Sequence, residues 1–367
     1  MATTPDEVCI AVIGAGGVGS CFLKQLSYLN KTRPSPRLRL CYIAIIDKAL
    51  HHADYSEINI DTALDALEDQ GQAPPTISWI IDYLSAAPSK VILVDNTSAN
   101  SLAEAYPQFL RRGISIITPN KKAFSGSYQL WEDIFSSAAA GHSYIFHESS
   151  VGAGLPIIST LKDLIITGDE ITRIQGVFSG TMSFLFNSFA PTEGQGEKWS
   201  VAVRKAKQLG YTEPDPRDDL KGLDVARKLT ILGRLAGLPI ESPTSFPVQS
   251  LIPQELQGVS SGDEFLDRLP EFDQQMEEHK TAAEKEGRFV RFVGSIDMAS
   301  REVKVGIESF EKTHPIAALQ GSDNIISFYT KRYGDNPLIV QGAGAGGDVT
   351  AMGVSSDLLK VLSHIAW

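Results

Sequence analysis

The chain has 367 residues, and 33 Lys and Arg set against 44 Asp and Glu leave a formal net charge of −11. At roughly 150 residues per domain this length predicts two or three packed units, and 43% hydrophobic with 21% charged residues describes a globular chain, not a disordered one. The acidic balance, with no Lys/Arg run longer than a pair, excludes a phosphate-neutralising nucleic-acid surface; no apolar run approaches the ~20 residues of a bilayer span; and Asp6 and Glu7 stand where a secretory signal would be basic, so the expected location is the cytoplasm.

Taken in order, the first 150 residues alternate strand-like and helical stretches, the pattern of a parallel sheet wound with helices on both faces. Strands are expected at Val8 to Ile13, Leu38 to Ile46, Lys90 to Asp95, Ile114 to Thr118 and His142 to His147. Helices are expected near Val18 to Leu29, Ile77 to Ser85, Leu102 to Arg111 and Tyr128 to Ala139, and Asn30 to Pro36 reads as an inserted loop. From Val151 a Gly/Pro opening leads into a helix and then a strand at Thr172 to Phe178. Helical stretches follow at Thr181 to Phe189, Lys198 to Gln208, Asp218 to Ala236 and, solvated and acidic, Gln274 to Glu286. Alternation over Phe289 to Val293 and over Val303, Val305 and Ile307 predicts an antiparallel pair. A glycine-dense turn, Gln341 to Gly347, opens a last helix, Val349 to His364, which is expected to pack back on the first domain. The predicted division is 1–150 with 342–367 as one domain and 151–341 as the other.

Three cysteines, Cys9, Cys21 and Cys41, fall in apolar contexts and read as reduced core thiols. None lies outside the first forty-one residues, which removes a thiohemiacetal-forming aldehyde dehydrogenase. The histidines have no ligand spacing that would predict a catalytic zinc, and no tyrosine has a lysine four positions later.

Gly14-Ala15-Gly16-Gly17-Val18-Gly19 is a GxGxxG between a predicted strand and helix. Gly14 permits the tight turn, Gly16 lets backbone approach a pyrophosphate and Gly19 allows close packing, while the helix N-terminus supplies N–H donors. Asp47, at the predicted end of the second strand, completes a Rossmann-type dinucleotide-binding fingerprint by meeting a ribose hydroxyl. Lys48 next to it suits a 2′-phosphate, so NAD and NADP both remain open. Asp95-Asn96-Thr97-Ser98 and Thr118-Pro119-Asn120-Lys121-Lys122 leave two further strands of that sheet, where open α/β sheets take ligands.

The stretch Gly210 to Lys228 carries the sharpest signal. Asp218 and Asp219 are explicable as an acidic helix cap. At 100° per residue, however, Asp224 and Lys228 share a sector with Leu220, Ile231, Leu232 and Leu235, which puts an i,i+4 charge pair in an apolar face. Inward charge costs desolvation and is most often kept for chemistry. A lysine held by an aspartate in a partly dry cleft can serve as acid/base for an alcohol/carbonyl pair.

GAGGVG, DNTS, TPNKKAFS, HESSVGAGLP, FSGTMSFLFN, GYTEPDPRDDLKGLDVARK and GAGAGG together resemble the short, monofunctional, fungal type of homoserine dehydrogenase over nearly the whole chain. The resemblance implies a Rossmann-type domain followed by an α+β catalytic and dimerisation domain, with L-homoserine and L-aspartate 4-semialdehyde interconverted by NAD(P) toward threonine, methionine and isoleucine. It implies Lys228 as the acid/base oriented by Asp224, Glu213 as the ammonium partner, and Lys122 assisting near the nicotinamide. Asp219, Tyr211, Gly180 and Thr181 would line the amino-acid pocket. The nucleotide would meet Gly14, Ala15, Gly16, Gly17, Val18, Gly19, Asp47, Lys48, Thr97, Ser98, Lys122 and Gly346. A sodium ion would sit on backbone oxygens of Glu148, Val151, Ala153 and Leu155. The resemblance also implies a homodimer, for which Ser295 to Ser309 is the candidate interface. With the chain closing after the GAGAGG helix, no regulatory domain for threonine control is expected. Two other readings compete: a non-catalytic dinucleotide-binding sensor, and a dehydrogenase of another amino-acid semialdehyde.

Overall fold

The computed structural model describes residues 7–33 and 35–365. Asp6, read against a secretory signal, and Pro34, within the expected 30–36 loop, lie outside the described residues. The chain divides into two compact units, Met1–Pro156 with Ala345–Trp367, and Ile157–Gly344.

The first unit runs β1 (Glu7–Ile13), α1 (Gly17–Thr32), β2 (Arg37–Ala44), β3 (Ala49–His51), α2 (Ala63–Gln70), α3 (Ile77–Ser85), β4 (Lys90–Asp95), α4 (Asn100–Arg111), β5 (Ser115–Ile117), α5 (Lys122–Ser125), α6 (Tyr128–Ala140) and β6 (Ile145–Phe146). Its six strands lie in the order β3-β2-β1-β4-β5-β6. All neighbours are parallel except β3, which runs antiparallel to β2. Val8, Ile10 and Val12 of β1 are fully buried, which is why this strand can sit mid-sheet as a nearly unbroken apolar run. With β2 on one side and β4 on the other, β1 marks the switch point at whose C-terminal edge such sheets open a ligand crevice.

Here the sequence reading needs three corrections. The strand expected to reach Ile46 stops at Ala44. Ile45 N–H then bonds Lys48 O at 2.8 Å and the chain returns as β3, leaving Ile46 98% exposed at the hairpin tip. Helix α1 also continues through the expected loop start to Thr32, where Arg33 N–H bonds Leu29 O. Cys9 and Cys41 are buried free thiols, but Cys21 is only half-buried, because its face of α1 meets the glycine turn at Gly347.

The second unit runs α7 (Ile157–Ile166), β7 (Ile171–Val177), α8 (Gly180–Phe189), α9 (Trp199–Gln208), α10 (Arg217–Leu220), α11 (Leu223–Leu235), α12 (Gly262–Arg268), α13 (Asp273–Glu284), β8 (Arg288–Asp297), β9 (Glu302–Glu311), α14 (Pro315–Ala318), β10 (Asp323–Thr330) and β11 (Leu338–Ala343). An antiparallel sheet of order β11-β10-β7-β8-β9 carries it. Leu229 of α11 packs so tightly on β8 that a Cβ at Gly294 would stand 2.8 Å from its side chain. The expected helix 218–236 is two helices, broken where Gly222 takes φ 72°. Leu220 O, which one continuous helix would have used, accepts from Leu251 N–H instead.

The chain returns to the first unit as α15 (Gly347–Ile365), which buries Ala351, Val354, Leu358 and Val361 in the same core as Phe22 and Leu26 of α1. Ser355 donates to Gln25 across this contact at 2.7 Å.

Candidate active site

In the first unit the glycine loop is fixed by close backbone packing. Gly14 holds φ 91°, its N–H and that of Ala15 both bond Ala44 O, and a Cβ at Gly14 would lie 2.8 Å from the Thr97 methyl. A Cβ at Gly19 would lie 2.1 Å from Gly14 O, so only glycine lets α1 start this close to β1. Gly16 and Gly17 face open space instead. The α1 N-terminus has neither a side-chain cap nor an acidic residue in its first turn, leaving its N–H groups to an anion. Beside it both amide atoms of Asn96 are buried without a hydrogen-bond partner among the described residues. Uncapped donors, an open glycine face and an orphaned amide fit a dinucleotide.

The other expected cofactor residues also lie in the first unit. Ala15 is buried, Val18 half-buried, and Gly347, next to Gly346 at φ 121°, approaches Gly17 O. Thr97 is half-buried and Ser98 exposed in the turn after β4. Lys122 is exposed at the start of α5, its N–H bonded to Asn120 Oδ1. Asp47 is exposed in the β2–β3 turn and not on a strand. Lys48 reaches the other way: its Nζ bonds Glu68 Oε1 at 2.8 Å and Glu68 O at 3.0 Å, at the C-terminal end of α2.

Within the second unit the acid/base candidate is anchored twice. Lys228 Nζ lies 2.8 Å from Asp224 Oδ2 and 2.6 Å from Phe178 O, at the end of β7. The two charges are not equally inward: Lys228 exposes 8% of its side chain and Asp224 47%. Asp224 sits in the first turn of α11, where the helix terminus stabilises a carboxylate that faces water, and Leu220 belongs to the separate α10.

Asp219 does more than cap a helix. Its Oδ2 accepts Glu213 N–H at 2.8 Å, and Thr181 beside it bonds Tyr211 O at 2.6 Å. Tyr211 stacks on Phe184 with ring centroids 4.5 Å apart. Burial pushes the Asp219 carboxyl above the ordinary range, and Glu213 and Asp224 add like charge. Thr181, Tyr211, Glu213, Asp219, Asp224 and Lys228 are thus linked in one cluster, with more negative than positive charge, as a site for a cation would require. Gly180 opens α8 beside them, at a point where a Cβ would stand 2.9 Å from Ser322 O. Sequence reasoning missed Phe178, because a main-chain carbonyl carries no residue-type signal.

The 148–155 segment lies in the first unit. Glu148, Val151 and Ala153 are buried and Leu155 is half-buried. Gly152 and Ala153 are successive left-handed residues, φ 78° and 53°. Asp357 accepts Glu148 N–H, and Lys360 Nζ stands 3.3 Å from Glu148 Oε2. Among the described residues no cluster of three His, Cys, Asp or Glu side chains suits a metal. What the segment offers is main-chain oxygen in a turned backbone, a donor set that fits a hard cation.

A dinucleotide cradle at a switch point and, on the second unit, a lysine anchored among carboxylates define a nicotinamide-nucleotide-dependent oxidoreductase. Family profiles described as homoserine dehydrogenase, NAD binding domain, and homoserine dehydrogenase match residues 14–148 and 156–359. The chain is 56% identical to a homoserine dehydrogenase of Emericella nidulans, covering 98% of this chain and 99% of the other. It is 48% identical to one of Saccharomyces cerevisiae at 98% and 99% coverage. A Candida auris crystal structure of unknown function superimposes with TM-score 0.93 at 46% identity, over 98% and 99% of the two chains. The chain belongs to the homoserine dehydrogenase family.

Proposed function

We propose that the chain interconverts L-homoserine and L-aspartate 4-semialdehyde with NAD or NADP, serving threonine, methionine and isoleucine biosynthesis in the cytoplasm. The observation that carries this reading is the Lys228 ammonium fixed between Asp224 Oδ2 and Phe178 O, in a pocket that also holds Asp219 and Glu213. On oxidation Lys228 in its neutral amine form takes the substrate hydroxyl proton and becomes the ammonium; on reduction the ammonium gives that proton back to the carbonyl oxygen, while Asp224 fixes the direction of Nζ. Glu213 and Asp219 draw in the substrate ammonium, and Gly180, Thr181 and Tyr211 close the pocket around the amino-acid backbone. When bound, the nicotinamide takes or supplies the hydride. Gly14 to Gly19, Thr97, Ser98 and Gly346 hold the nucleotide, and Lys122 steadies charge at its reactive end. The turned backbone at Glu148, Val151, Ala153 and Leu155 supports a sodium site. The edge position of β9, beside β8, supports a homodimer joined through the Ser295 to Ser309 region.

Glu213→Gln tests the substrate class. Loss of one charge-assisted hydrogen bond costs about 1.5–3 kcal/mol, so the KM for homoserine should rise roughly ten- to a hundredfold while the nucleotide KM holds. An unchanged homoserine KM would point to a substrate that presents no ammonium to Glu213.

A further inference from the structure

Asp95 ends β4 with a fully buried side chain, and among the described residues no Lys, Arg or His pairs with it. Its carboxylate is instead ringed by neutral donors: Thr97 N–H at 2.7 Å, Asn120 Nδ2 at 3.1 Å and the Tyr106 hydroxyl. Its own carbonyl accepts the Thr118 hydroxyl at 2.7 Å. Asn120 carries the link onward, since its Oδ1 accepts Lys122 N–H at 3.0 Å and its Nδ2 also donates to Ala99 O. On the other side Asn96 N–H bonds Ile13 O, and Thr97 packs against Gly14. One carboxylate thus ties together the three loops that leave the C-terminal ends of β1, β4 and β5.

A buried carboxylate without a cation is costly, and a neutral side chain of the same size would fill the space more cheaply. What only the carboxylate offers is acceptor capacity on both oxygens for three convergent donors. We infer that Asp95 is a positioning residue, setting the Thr97–Ser98 turn and Lys122 relative to the bound nicotinamide nucleotide. The inference rests on the nucleotide site proposed above. An asparagine at this position would turn one acceptor into a donor, so that either the Thr97 N–H or the Asn120 amide meets a like group and its loop shifts.

The test compares Asp95→Asn, Tyr106→Phe and the reciprocal swap Asp95→Asn/Asn120→Asp, which reverses the donor and the acceptor. Displacing a positioned group can cost about a hundredfold, so Asp95→Asn should raise the Kd for NADPH, read by fluorescence titration, about tenfold and lower kcat by more than about tenfold. The KM for homoserine should stay within about twofold, because the side-chain partners of Asp95, Thr97, Tyr106 and Asn120, all belong to the nucleotide-binding unit. The swap restores the bond between positions 95 and 120 but sets a carboxylate oxygen against Ala99 O, so it should recover part of both losses, and Tyr106→Phe should move both parameters the same way by less. Nucleotide Kd and kcat near wild type in Asp95→Asn would overturn the inference, as would losses that the swap leaves in place. Should Asp95→Asn fail to fold, an unaltered Tyr106→Phe overturns it equally. The NADPH titration needs no substrate, so a wild type inert toward homoserine would count against the proposed function while the binding arm still decides the role of Asp95.

Discussion

Lys228 Nζ donates to the carbonyl oxygen of Phe178 at 2.6 Å, a main-chain contact that fixes a helix-borne lysine at the end of a strand. Because a backbone carbonyl cannot change its protonation state, this anchor holds whatever the pH does to Asp224. The chemistry proposed for Lys228 depends on that fixed direction, and several measurable consequences follow from the groups around it.

Asp219 gives a pH dependence with a definite sign. Burial raises its folded-state pKa above the ordinary carboxylate value, with Glu213 and Asp224 adding like charge. As pH falls, Asp219 takes a proton before an ordinary carboxylate would, and the pocket loses part of its attraction for an ammonium. The homoserine KM should therefore climb on the acid side earlier than ordinary carboxylate titration predicts, and Asp219→Asn should flatten that limb. Stability runs the other way. A carboxyl whose folded pKa is raised destabilises the fold once ionised, so its contribution improves as pH falls through the raised value and is lost as pH rises. Asp219→Asn should thus raise the thermal midpoint at neutral pH while weakening homoserine binding, and a lowered midpoint would contradict the assignment.

Cofactor choice turns on Lys48. Its ammonium is committed to Glu68, through both the carboxylate and the carbonyl near the C-terminus of α2, while Asp47 stands exposed beside it. Glu68→Ala removes the competing carboxylate and should raise the ratio of kcat/KM for NADP over NAD. Exposed pairs of this kind are worth ~0.2–1 kcal/mol, so the change should be about fivefold at most. An unchanged ratio would show that Lys48 has no part in cofactor choice.

Arg291 is a stability device away from the chemistry. It is 1% exposed, it donates to Ala190 O, Val290 O and Ala317 O, and burial holds its pKa down to about 10. Arg291→Met relieves the buried charge but leaves these carbonyls short of donors, each at about 1–3 kcal/mol, so the losses should outweigh the relief. Urea denaturation should show a net loss of about 1–3 kcal/mol with the nucleotide Kd unchanged. A more stable variant would mean that desolvation of the guanidinium dominates.

Features that depend on local pattern were the legible ones. The glycine fingerprint announces itself because Gly14 and Gly19 are demanded by backbone packing within a few residues, and Ile77–Ser85 and Lys90–Asp95 have the bounds that periodicity predicts. The helix break at Gly222 was hidden, since a lone glycine is tolerated in a helical pattern and only the capture of Leu220 O by Leu251 makes the break cheap. Strands β10 and β11 were missed because Asn324 and Ser327 interrupt the one and glycine ends the other. Their pairing with β7 and with each other, not their own residues, makes them strands. At the site, residue types suggested Asp224 and Lys228. The Phe178 carbonyl, the hold of Glu68 on Lys48 and the Asp95 network depend on contacts that no local spacing encodes.

The most direct test follows reduced-nicotinamide absorbance during homoserine oxidation by wild type and Lys228→Ala, with nucleotide Kd and folding measured on both. Removing the acid/base should lower kcat by about 10²–10⁴-fold while nucleotide affinity stays within about twofold. A Lys228→Ala enzyme that keeps kcat within a few-fold of wild type, or a folded, nucleotide-binding wild type that turns over neither homoserine nor aspartate 4-semialdehyde, would contradict the account.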